Sequence, residues 1–529
     1  MLFQESIALI GKMAKGTSFF STSQHLCVVL LTFLGMAGAC QILHVAHSVG
    51  MRADTTYPES AVVQTALWAR DSGHLYPGLN EPPYTPAPYG PVFYEYLTSL
   101  ARFTHAGFDR LLTLGRIISV ACFLLLLIGA YRWARMQKLD PVIALMAPAF
   151  ILSQIDFADW NVSMRADLPA LLLSFTAFYF LSSSGLTWKR AAIAGIFCAL
   201  SGLFKQSFLA LPLAATLWLL LSQRIRMLLI FGAAVAAPVL LVFAWLSWRH
   251  EPFLQEILMA RYSPLSPSTA VSLLKADLIH FPLQIVLFGF GLLGLTMMPK
   301  DEARNLKLFC GSYFLLSWLM SFYVVMAPGA SVNAFLEPWT LTALLAPFAI
   351  RDWAESWLGF SFSVKAIQII FLVTVMGISL EGWRVIVSAP TSDDYGFLTQ
   401  SLNEHRILSD IPYLSAHSRE PELLDPSVNH YLELAGHWSS KQIQSELQAG
   451  AFDYVIVGAS DGQVRKWRGL TLFSGPVLKE IEKDYRIYCI SHRMAVYLPL
   501  TRNVDDPAVR NALTKAGCNF QNTTQAKPF

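Results

Sequence analysis

Charged residues are scarce in this sequence, and long apolar runs are frequent. Only 14% of its 529 residues are Asp, Glu, Lys or Arg, while 54% are hydrophobic. An ordinary globular protein carries about a quarter charged residues. The charges lie mainly outside the apolar runs, as expected because a charge at the centre of a bilayer costs several kcal/mol. The composition therefore excludes an ordinary soluble protein and indicates an integral membrane protein.

Other common signatures are also missing. The net charge of +3 is too small to indicate nucleic-acid binding. The seven cysteines show no metal-ligand spacing, and five of them lie in or beside apolar runs, where cysteine usually acts as a small hydrophobic residue. Cys489 and Cys518 lie in a polar C-terminal tail, and we expect them to pair if that tail faces an oxidising compartment. The tail contains no glycine-rich phosphate loop.

Apolar runs of membrane-spanning length recur along the first 390 residues. A hydrocarbon core is crossed by roughly 17–25 residues, and about eleven runs approach that length. They lie near 25–49, 110–131, 140–156, 163–183, 190–204, 207–222, 227–247, 281–298, 306–326, 333–350 and 364–388. The first run is longer than the apolar part of a secretory signal, so we expect an uncleaved signal anchor. The sequence predicts a mostly α-helical, polytopic protein with about eleven spans.

The basic residues of the short connections alternate between the two sides of the membrane. One side receives Lys12, Lys15, Arg132, Arg135, Lys138, Lys189, Arg190, Arg224, Arg226, Lys300, Arg304, Lys307 and Arg351. The opposite connections 156–162 and 327–332 contain neither Lys nor Arg. Because positive residues favour the cytoplasmic side, we predict a cytoplasmic N-terminus and an extracytoplasmic C-terminal domain in the inner (plasma) membrane.

Two outer connections, residues 50–109 and 248–280, are too long to be simple turns. In the first, a helical pattern over Tyr57–Gly73 is followed by a proline-rich stretch over Tyr76–Pro91, which cannot be helical. A second short pattern, over Pro91–Phe103, is rich in aromatic residues and suits the membrane interface. We predict a pair of juxtamembrane helices here.

The tail becomes polar from about Ser392, and its apolar runs shorten to the length of strands. Such runs occur at Arg406–Leu408, Phe452–Gly458 and Arg493–Leu498, and a helical pattern covers Ser440–Ala449. We therefore predict two domains, a transmembrane domain over residues 1–390 and a soluble α/β domain over residues 391–529.

Ionisable side chains gather at the predicted outer ends of the spans. The candidates are Arg52, Asp54, Glu59, Asp156, Asp159, Arg165, Asp167, Lys205, Gln206 and Glu337. Carboxylates that meet at one level can act as a general base or bind a divalent cation such as Mg²⁺ or Mn²⁺, and Lys or Arg can hold a phosphate. Arg165 and Asp167 are expected one helical turn inside a span. The structural alternatives are solvated helix caps, a local pair of Arg52 with a nearby acid, and an Arg165–Asp167 pair that locks two helices.

The order of these features resembles a known family. An acidic outer loop follows the first span, and Tyr89–Tyr94 opens a juxtamembrane helix. Met164–Asp167 and Gly202–Ser207 follow on later spans. In this order the sequence is similar to the GT-C glycosyltransferases, and most similar to bacterial relatives of the protein O-mannosyltransferases and the lipid A aminoarabinose transferases. These are multi-span enzymes that take a sugar from a polyprenyl-phosphate carrier.

The resemblance implies an inverting transfer to a glycan, lipid or protein acceptor outside the cytoplasm. The family's essential acid lies in the first outer loop, which corresponds to Asp54 or Glu59, and both stay candidates for the base. The other ionisable residues named above would bind the substrates. The resemblance also implies that Arg261 and Tyr262 belong to a flexible loop over the active site.

Two other classes of function remain open at this point. A polytopic protein with intramembrane charges can transport a lipid-linked sugar or a small solute, although the sequence shows no paired internal repeats. A non-catalytic membrane assembly protein is the other alternative.

Overall fold

The structure of the protein is a computed structural model. It describes residues 22–56, 59–80, 84–183, 185–258, 265–298, 304–327, 330–356, 377, 380, 383, 395–420, 424–460, 463–464, 466–467, 470–491, 493–501, 504 and 506–520.

Helices make up most of the described chain before residue 357. They are α1 (Thr22–Ser48), α2 (Glu59–Ser72), α3 (Pro91–Thr104), α4 (Phe108–Met136), α5 (Pro141–Ala144), α6 (Met146–Ser153), α7 (Asp167–Ser182), α8 (Trp188–Phe204), α9 (Ala210–Leu221), α10 (Ile225–Trp248), α11 (Phe253–Ile257), α12 (Pro267–His280), α13 (Leu283–Met297), α14 (Arg304–Val325) and α15 (Leu336–Ser356). Short 3₁₀ helices cover Ile155–Phe157 and Val332–Phe335.

Among the described residues, four helices are long and apolar enough to cross a membrane. They contain Leu30–Ser48, Phe108–Met136, Ile225–Trp248 and Asn305–Val325, and shorter apolar helices accompany them. Large apolar side chains of α10 are exposed, among them Leu240, Leu241 and Trp248. Such a surface is stable against lipid but not against water. The count of about eleven spans stays a prediction, and nearly all of its last run, 364–388, lies outside the described residues.

The two juxtamembrane helices predicted for the first outer connection are present as α2 and α3. Pro91 occupies the first position of α3, where its missing N–H is not needed. The helix ends at His105, which adopts the left-handed conformation with φ 48°. The prolines between α2 and α3 keep that stretch free of helix over its described part.

The C-terminal region contains a mixed sheet. The strands of this region are β1 (Ile407–Ser409), β2 (Tyr454–Ser460), β3 (Gln463–Val464), β4 (Lys466–Trp467), β5 (Leu470–Thr471), β6 (Tyr485–Ile490), β7 (Met494–Pro499) and β8 (Asn519–Phe520). The mixed sheet has the order β1-β2-β7-β6-β8, with β3 also paired to β2; β1 is parallel to β2 and the other neighbours are antiparallel. The region also contains a separate two-stranded antiparallel sheet of β4 and β5. Its helices are α16 (Gly396–Leu402), α17 (Pro412–Ala416), α18 (Pro426–Leu434), α19 (Lys441–Gln448), α20 (Gly475–Asp484) and α21 (Pro507–Lys515). The predicted α/β character of the tail is confirmed, although β6 was not predicted.

The C-terminal region packs on the first outer connection. The backbone N–H of Tyr395 donates to the carbonyl of Arg52 at 3.0 Å. The hydroxyl of Tyr413 donates to the carboxylate of Asp109, at the start of α4, over 2.9 Å. Apolar side chains of α2, α3, α17 and the sheet form one hydrophobic cluster. The two parts of the chain therefore share a hydrophobic core.

Candidate active site

Glu59 and Arg116 form a buried ion pair between α2 and α4. Both side chains are fully buried. The guanidinium of Arg116, on α4, donates to both carboxylate oxygens of Glu59, over 2.9 and 2.7 Å. The same carboxylate accepts from the backbone N–H and hydroxyl of Thr55 and from the backbone N–H of Met164. Five donors thus converge on Glu59. Both oxygens of this carboxylate are therefore occupied by hydrogen-bond donors.

Arg116 also fixes the loop that follows α1. Its remaining donors reach the backbone carbonyls of Ser48, Met51 and Ala53. Arg52 itself points outward, and its side chain is exposed. A fully buried arginine therefore holds the residues immediately before Asp54 in one conformation.

Asp54 has a different environment from Glu59. Its Oδ1 accepts from the backbone N–H and the hydroxyl of Ser60, over 2.7 and 2.5 Å. Its Oδ2 accepts no hydrogen bond from the described residues, and the residue is partly exposed. Burial, reinforced by the neighbouring charge of Glu59, raises the pKa of Asp54 to about 7, although Ser60 and Arg116 oppose the rise. This carboxyl group can therefore gain and lose a proton near neutral pH.

The second short outer connection lies against the Asp54 loop. The hydroxyl of Ser163 is 2.9 Å from that of Thr55 and 2.7 Å from that of Thr56. Ser119, on α4, donates to the backbone carbonyl of Ser163 over 2.6 Å. These bonds bring the segment that precedes α7 next to Asp54.

Two cations share one buried carboxylate at the start of α7. Asp167 accepts from the ammonium of Lys205 and from the amide of Asn333, the latter over 2.7 Å. The Nε of Arg165 lies 3.7 Å from the other oxygen of Asp167. The side chains of Arg165 and Lys205 are each 11% exposed. Taken together, Arg165, Lys205 and Asp167 carry one positive charge in excess.

Aromatic rings orient the guanidinium of Arg165. It lies 4.8 Å from the ring centroid of Trp160 and 5.4 Å from that of Tyr89, and it donates to the hydroxyl of Tyr89. Arg165 and Asp167 were expected one helical turn inside a helix, but α7 begins only at Asp167, so Arg165 precedes the helix. Pro169 explains this limit, since its ring would clash with the carbonyl of residue 165 in a continued helix.

The segment of residues 84–90, which we call the strap, passes beside these cations. The backbone N–H of Gly90 donates to the carbonyl of Phe204 over 3.1 Å. The amide of Gln206 donates to the carbonyl of Pro88 over 2.6 Å. The structure thus shows the contacts of two predicted site residues. Gln206 binds the strap, and the neighbouring Lys205 binds Asp167.

The remaining predicted acids lie in other surroundings. Asp156 is buried and accepts from the amide of Gln284 over 3.0 Å. The more exposed Asp159 lies 3.0 Å from the imidazole of His44. No contact among the described residues joins either acid to Lys205.

Glu337 lies inside the helical part, away from the surface. Its Oε1 accepts from the hydroxyl of Tyr313 over 2.7 Å and from that of Ser174 over 3.0 Å. Glu337 lies in the first turn of α15, and the short 3₁₀ helix Val332–Phe335 directly before α15 brings Asn333 to Asp167. Arg261 and Tyr262 lie outside the described residues.

Among the residues that the structure describes, no group of three or more His, Cys, Asp or Glu side chains is arranged to hold a metal ion. A requirement for Mg²⁺ or Mn²⁺ stays a prediction.

Several residues of this site were missed by the sequence reasoning. Asn333 and Tyr89 have no charge, and their partners are distant in sequence. Glu251 and Glu256 fall in the second outer connection and hold backbone groups of the first. The proline-rich composition of the first connection was the sequence signal that could have pointed to these two glutamates. A stretch without regular secondary structure needs side chains to accept hydrogen bonds from its few backbone N–H groups.

Comparison with solved structures gives matches over most of the chain. The lipid A aminoarabinose transferase ArnT from Cupriavidus metallidurans, bound to undecaprenyl phosphate, matches with a TM-score of 0.57 and 12% identity, over 91% of this chain and 99% of ArnT. The apo form of ArnT matches with the same TM-score and 11% identity, over 90% and 98% of the two chains. The oligosaccharyltransferase AglB from Archaeoglobus fulgidus gives a TM-score of 0.46 and 12% identity, over 90% of this chain and 75% of AglB. No protein-family model and no curated protein matches the sequence. The prediction of a GT-C-type fold is confirmed.

Proposed function

We propose that this protein is a membrane glycosyltransferase, which moves a sugar from a polyprenyl-phosphate carrier to an extracytoplasmic acceptor with inversion. One observation carries the proposal: a carboxyl group whose pKa is raised to about 7 lies on the same face as two little-exposed cations, which with Asp167 carry one positive charge in excess. The shared fold with ArnT, a structure of which contains undecaprenyl phosphate, supports the choice of carrier.

The donor phosphate is assigned to Arg165 and Lys205. A cluster with an excess positive charge and little exposure binds an anion strongly, because few water molecules compete for the cations. A planar guanidinium also offers parallel donors to phosphate oxygens. The lipid tail of the carrier would lie in the bilayer, while its headgroup reaches the outer face.

Asp54 is assigned as the general base. Its carboxylate removes the proton of an acceptor hydroxyl, and the hydroxyl oxygen attacks C1 of the sugar from the face opposite the phosphate. The bond between C1 and the phosphate oxygen breaks, and its electron pair leaves with the polyprenyl phosphate. Arg165 and Lys205 stabilise the charge that develops on this leaving group. Glu59, with five hydrogen-bond donors on its carboxylate, positions the loop.

The location of the reaction follows from the positive-inside pattern and from the tail. Cys489 and Cys518 form a disulfide, which is typical of compartments outside the cytoplasm. We place the active face and the C-terminal region on the outer side of the inner membrane, with a glycan, a lipid or a protein as the acceptor. Arg52, Asp156, Asp159 and Glu337 stay candidates for substrate contacts, as does a divalent cation.

The Asp54→Asn variant tests the proposal. It removes the base but keeps the size of the side chain, so we expect sugar transfer to fall by roughly 10²–10⁴-fold with retained binding of undecaprenyl phosphate. Transfer from defined polyprenyl-phosphate sugars is measured by product analysis with the full-length protein in lipid nanodiscs.

Asp71→Asn is the matched control, because Asp71 is an exposed acid at the end of α2 that pairs with Arg70. This variant should keep the activity of the natural chain. Unchanged transfer by Asp54→Asn would show that Asp54 is not the base. Movement of the carrier across the bilayer without a new glycosidic bond would instead identify a transporter.

A further inference from the structure

Two buried glutamates of the second outer connection hold the backbone of the first. Glu251 accepts from the backbone N–H groups of Leu75 and Tyr76, over 3.0 and 3.1 Å. Glu256, on α11, accepts from the N–H of Gly78 over 2.8 Å and from that of Ala87 over 2.5 Å. Each carboxylate therefore joins two backbone donors of the same proline-rich stretch.

The two glutamates differ in how their charge is balanced. The carboxylate of Glu251 lies 3.3 Å from the guanidinium of Arg249 and 3.4 Å from the imidazole of His74. Glu256 is completely buried and forms no ion pair with any Lys, Arg or His among the described residues. Burial raises the pKa of Glu256 to about 7, and its two backbone N–H donors oppose the rise. Burying a carboxyl group is unfavourable unless it is well hydrogen-bonded, so its two N–H partners matter greatly.

The N–H of Ala87 is an exceptional donor within the strap. Residues 86 and 88 are prolines, which have no N–H, so Ala87 supplies the sole backbone donor of this tripeptide. Glu256 accepts that donor. Fixing this one residue therefore fixes the middle of the strap.

The strap connects Ala87 directly to the cation cluster. Pro88 is held by Gln206, and the hydroxyl of Tyr89 accepts from the guanidinium of Arg165. Three consecutive residues therefore connect Glu256 to Arg165. Ala87 and Pro88 are held by hydrogen bonds at their backbone, and Tyr89 by a hydrogen bond at its side chain.

We propose that Glu256 is a positioning residue of the donor site: by holding Ala87 it places Tyr89, and through Tyr89 it orients the guanidinium of Arg165 that receives the carrier phosphate. This role rests on the proposed function, which assigns the phosphate to Arg165. Arg165 keeps its contacts with Trp160 and Asp167 when the strap loosens, so loss of Glu256 should weaken carrier binding rather than abolish it.

The Glu256→Gln variant tests this role. A glutamine presents one acceptor oxygen where the carboxylate presents two, so one of the two backbone N–H bonds is lost. We expect the affinity for undecaprenyl phosphate to fall by about three- to tenfold, with a thermal unfolding midpoint close to that of the natural chain. Binding is measured on the full-length protein in nanodiscs. Glu95→Gln, the same change at a partly exposed position on α3, should leave the affinity unchanged.

A double-mutant cycle separates positioning from a general structural role. Tyr89→Phe removes the hydroxyl that contacts Arg165. If Glu256 acts through Tyr89, Glu256→Gln should have little further effect on carrier affinity in the Tyr89→Phe background. Additive effects, or an unchanged affinity in Glu256→Gln alone, would overturn the proposal.

Two further variants separate this proposal from the proposed function. If Arg165→Ala and Lys205→Ala weaken undecaprenyl phosphate binding and Glu256→Gln does not, only the positioning role is wrong. If neither cation variant weakens binding, the phosphate site itself is wrong. Should Glu256→Gln fail to fold, Tyr89→Phe alone must still weaken carrier binding by a similar factor, and an unchanged affinity then overturns the proposal.

Discussion

Asp54 and Glu59 are separated by five positions in the sequence, and the groups around them give them opposite properties. Glu59 faces a buried guanidinium and three further donors from Thr55 and Met164, so its charge is fully compensated. Among the described residues, Asp54 receives the two donors of Ser60, and it has a neighbouring negative charge. The sequence could not separate these two acids, because the residue that distinguishes them, Arg116, lies 57 positions after Glu59.

The elevated pKa of Asp54 makes a prediction about pH. Only the ionised carboxylate can accept a proton, so the transfer rate should rise through about pH 7 and level off above it. Below this pH we expect roughly a tenfold loss per pH unit. The measurement is the transfer rate at saturating substrates between pH 5.5 and 8.5.

The raised pKa of Asp54 makes the stability of the fold depend on pH in the direction opposite to the transfer rate. A carboxyl group whose pKa is raised on folding stabilises the fold at low pH, and this contribution is lost as the pH rises through about 7.

The pH dependence of the transfer rate is checked with the Asp54→Asn variant. Its residual transfer rate should lack the rise through about pH 7, the rising limb of the pH profile. A rising limb of the same position in that variant would contradict the assignment.

At the scale of elements, the periodicity of the sequence predicted correctly those helices and strands that bury one of their faces. The helices α2 and α3 and the strands β2 and β7 lie within a few residues of their predicted ranges. The start of α7 was predicted at residue 163, which is too early, because Pro169 limits the start of the helix sterically. The strand β6 was missed because its exposed and buried residues do not alternate cleanly. The strap has no periodicity at all, and its shape depends on side chains from other elements.

The close approach of the strap to α8 leads to a prediction for Gly90. A Cβ atom at this position would overlap the backbone carbonyl of Leu203, which cannot move out of the way as a side chain can. We expect Gly90→Ala to displace the strap, to cost about 1–3 kcal/mol of stability and to weaken binding of undecaprenyl phosphate. Thermal unfolding and carrier binding measure the two effects.

Gly202→Ala provides the control, because Gly202 lies on α8, the helix that Gly90 approaches. A Cβ at Gly202 meets nothing within 4 Å, and alanine in a helix is more favourable than glycine by roughly 0.5–1 kcal/mol. This variant should bind the carrier normally. Equal behaviour of the two variants would show that the strap tolerates displacement.

At the scale of the whole molecule, the fold class followed from composition and charge order, whereas the contacts between distant segments did not. Hydropathy locates apolar helices along the chain, but it does not specify which of them touch. The pairs Asn333–Asp167 and Glu256–Ala87 are 166 and 169 residues apart. Without knowledge of tertiary packing, such pairs cannot be selected from the many polar residues at the same level.

The orientation of the whole molecule is tested with single cysteines. Leu434, at the end of α18, is 66% exposed, and Lys189, at the start of α8, is also exposed. We expect a membrane-impermeant maleimide to label Leu434→Cys in intact cells and to label Lys189→Cys only after permeabilisation. The natural chain gives the background from its own cysteines. The reverse pattern would contradict both the positive-inside assignment and the outer location of the C-terminal region.

The bond between Tyr395 and Arg52 has a consequence for biosynthesis. The Asp54 loop is translated among the first residues, but the groups that complete it are translated more than 300 residues later. During synthesis the loop therefore stays open to one side, even when α1 and α4 are already inserted. The contacts of Arg116 with this loop form between segments that are translated early, whereas the contact with Tyr395 forms only after the C-terminal region has folded against the loop. Completion of the candidate site is thus coupled to the folding of the C-terminal region.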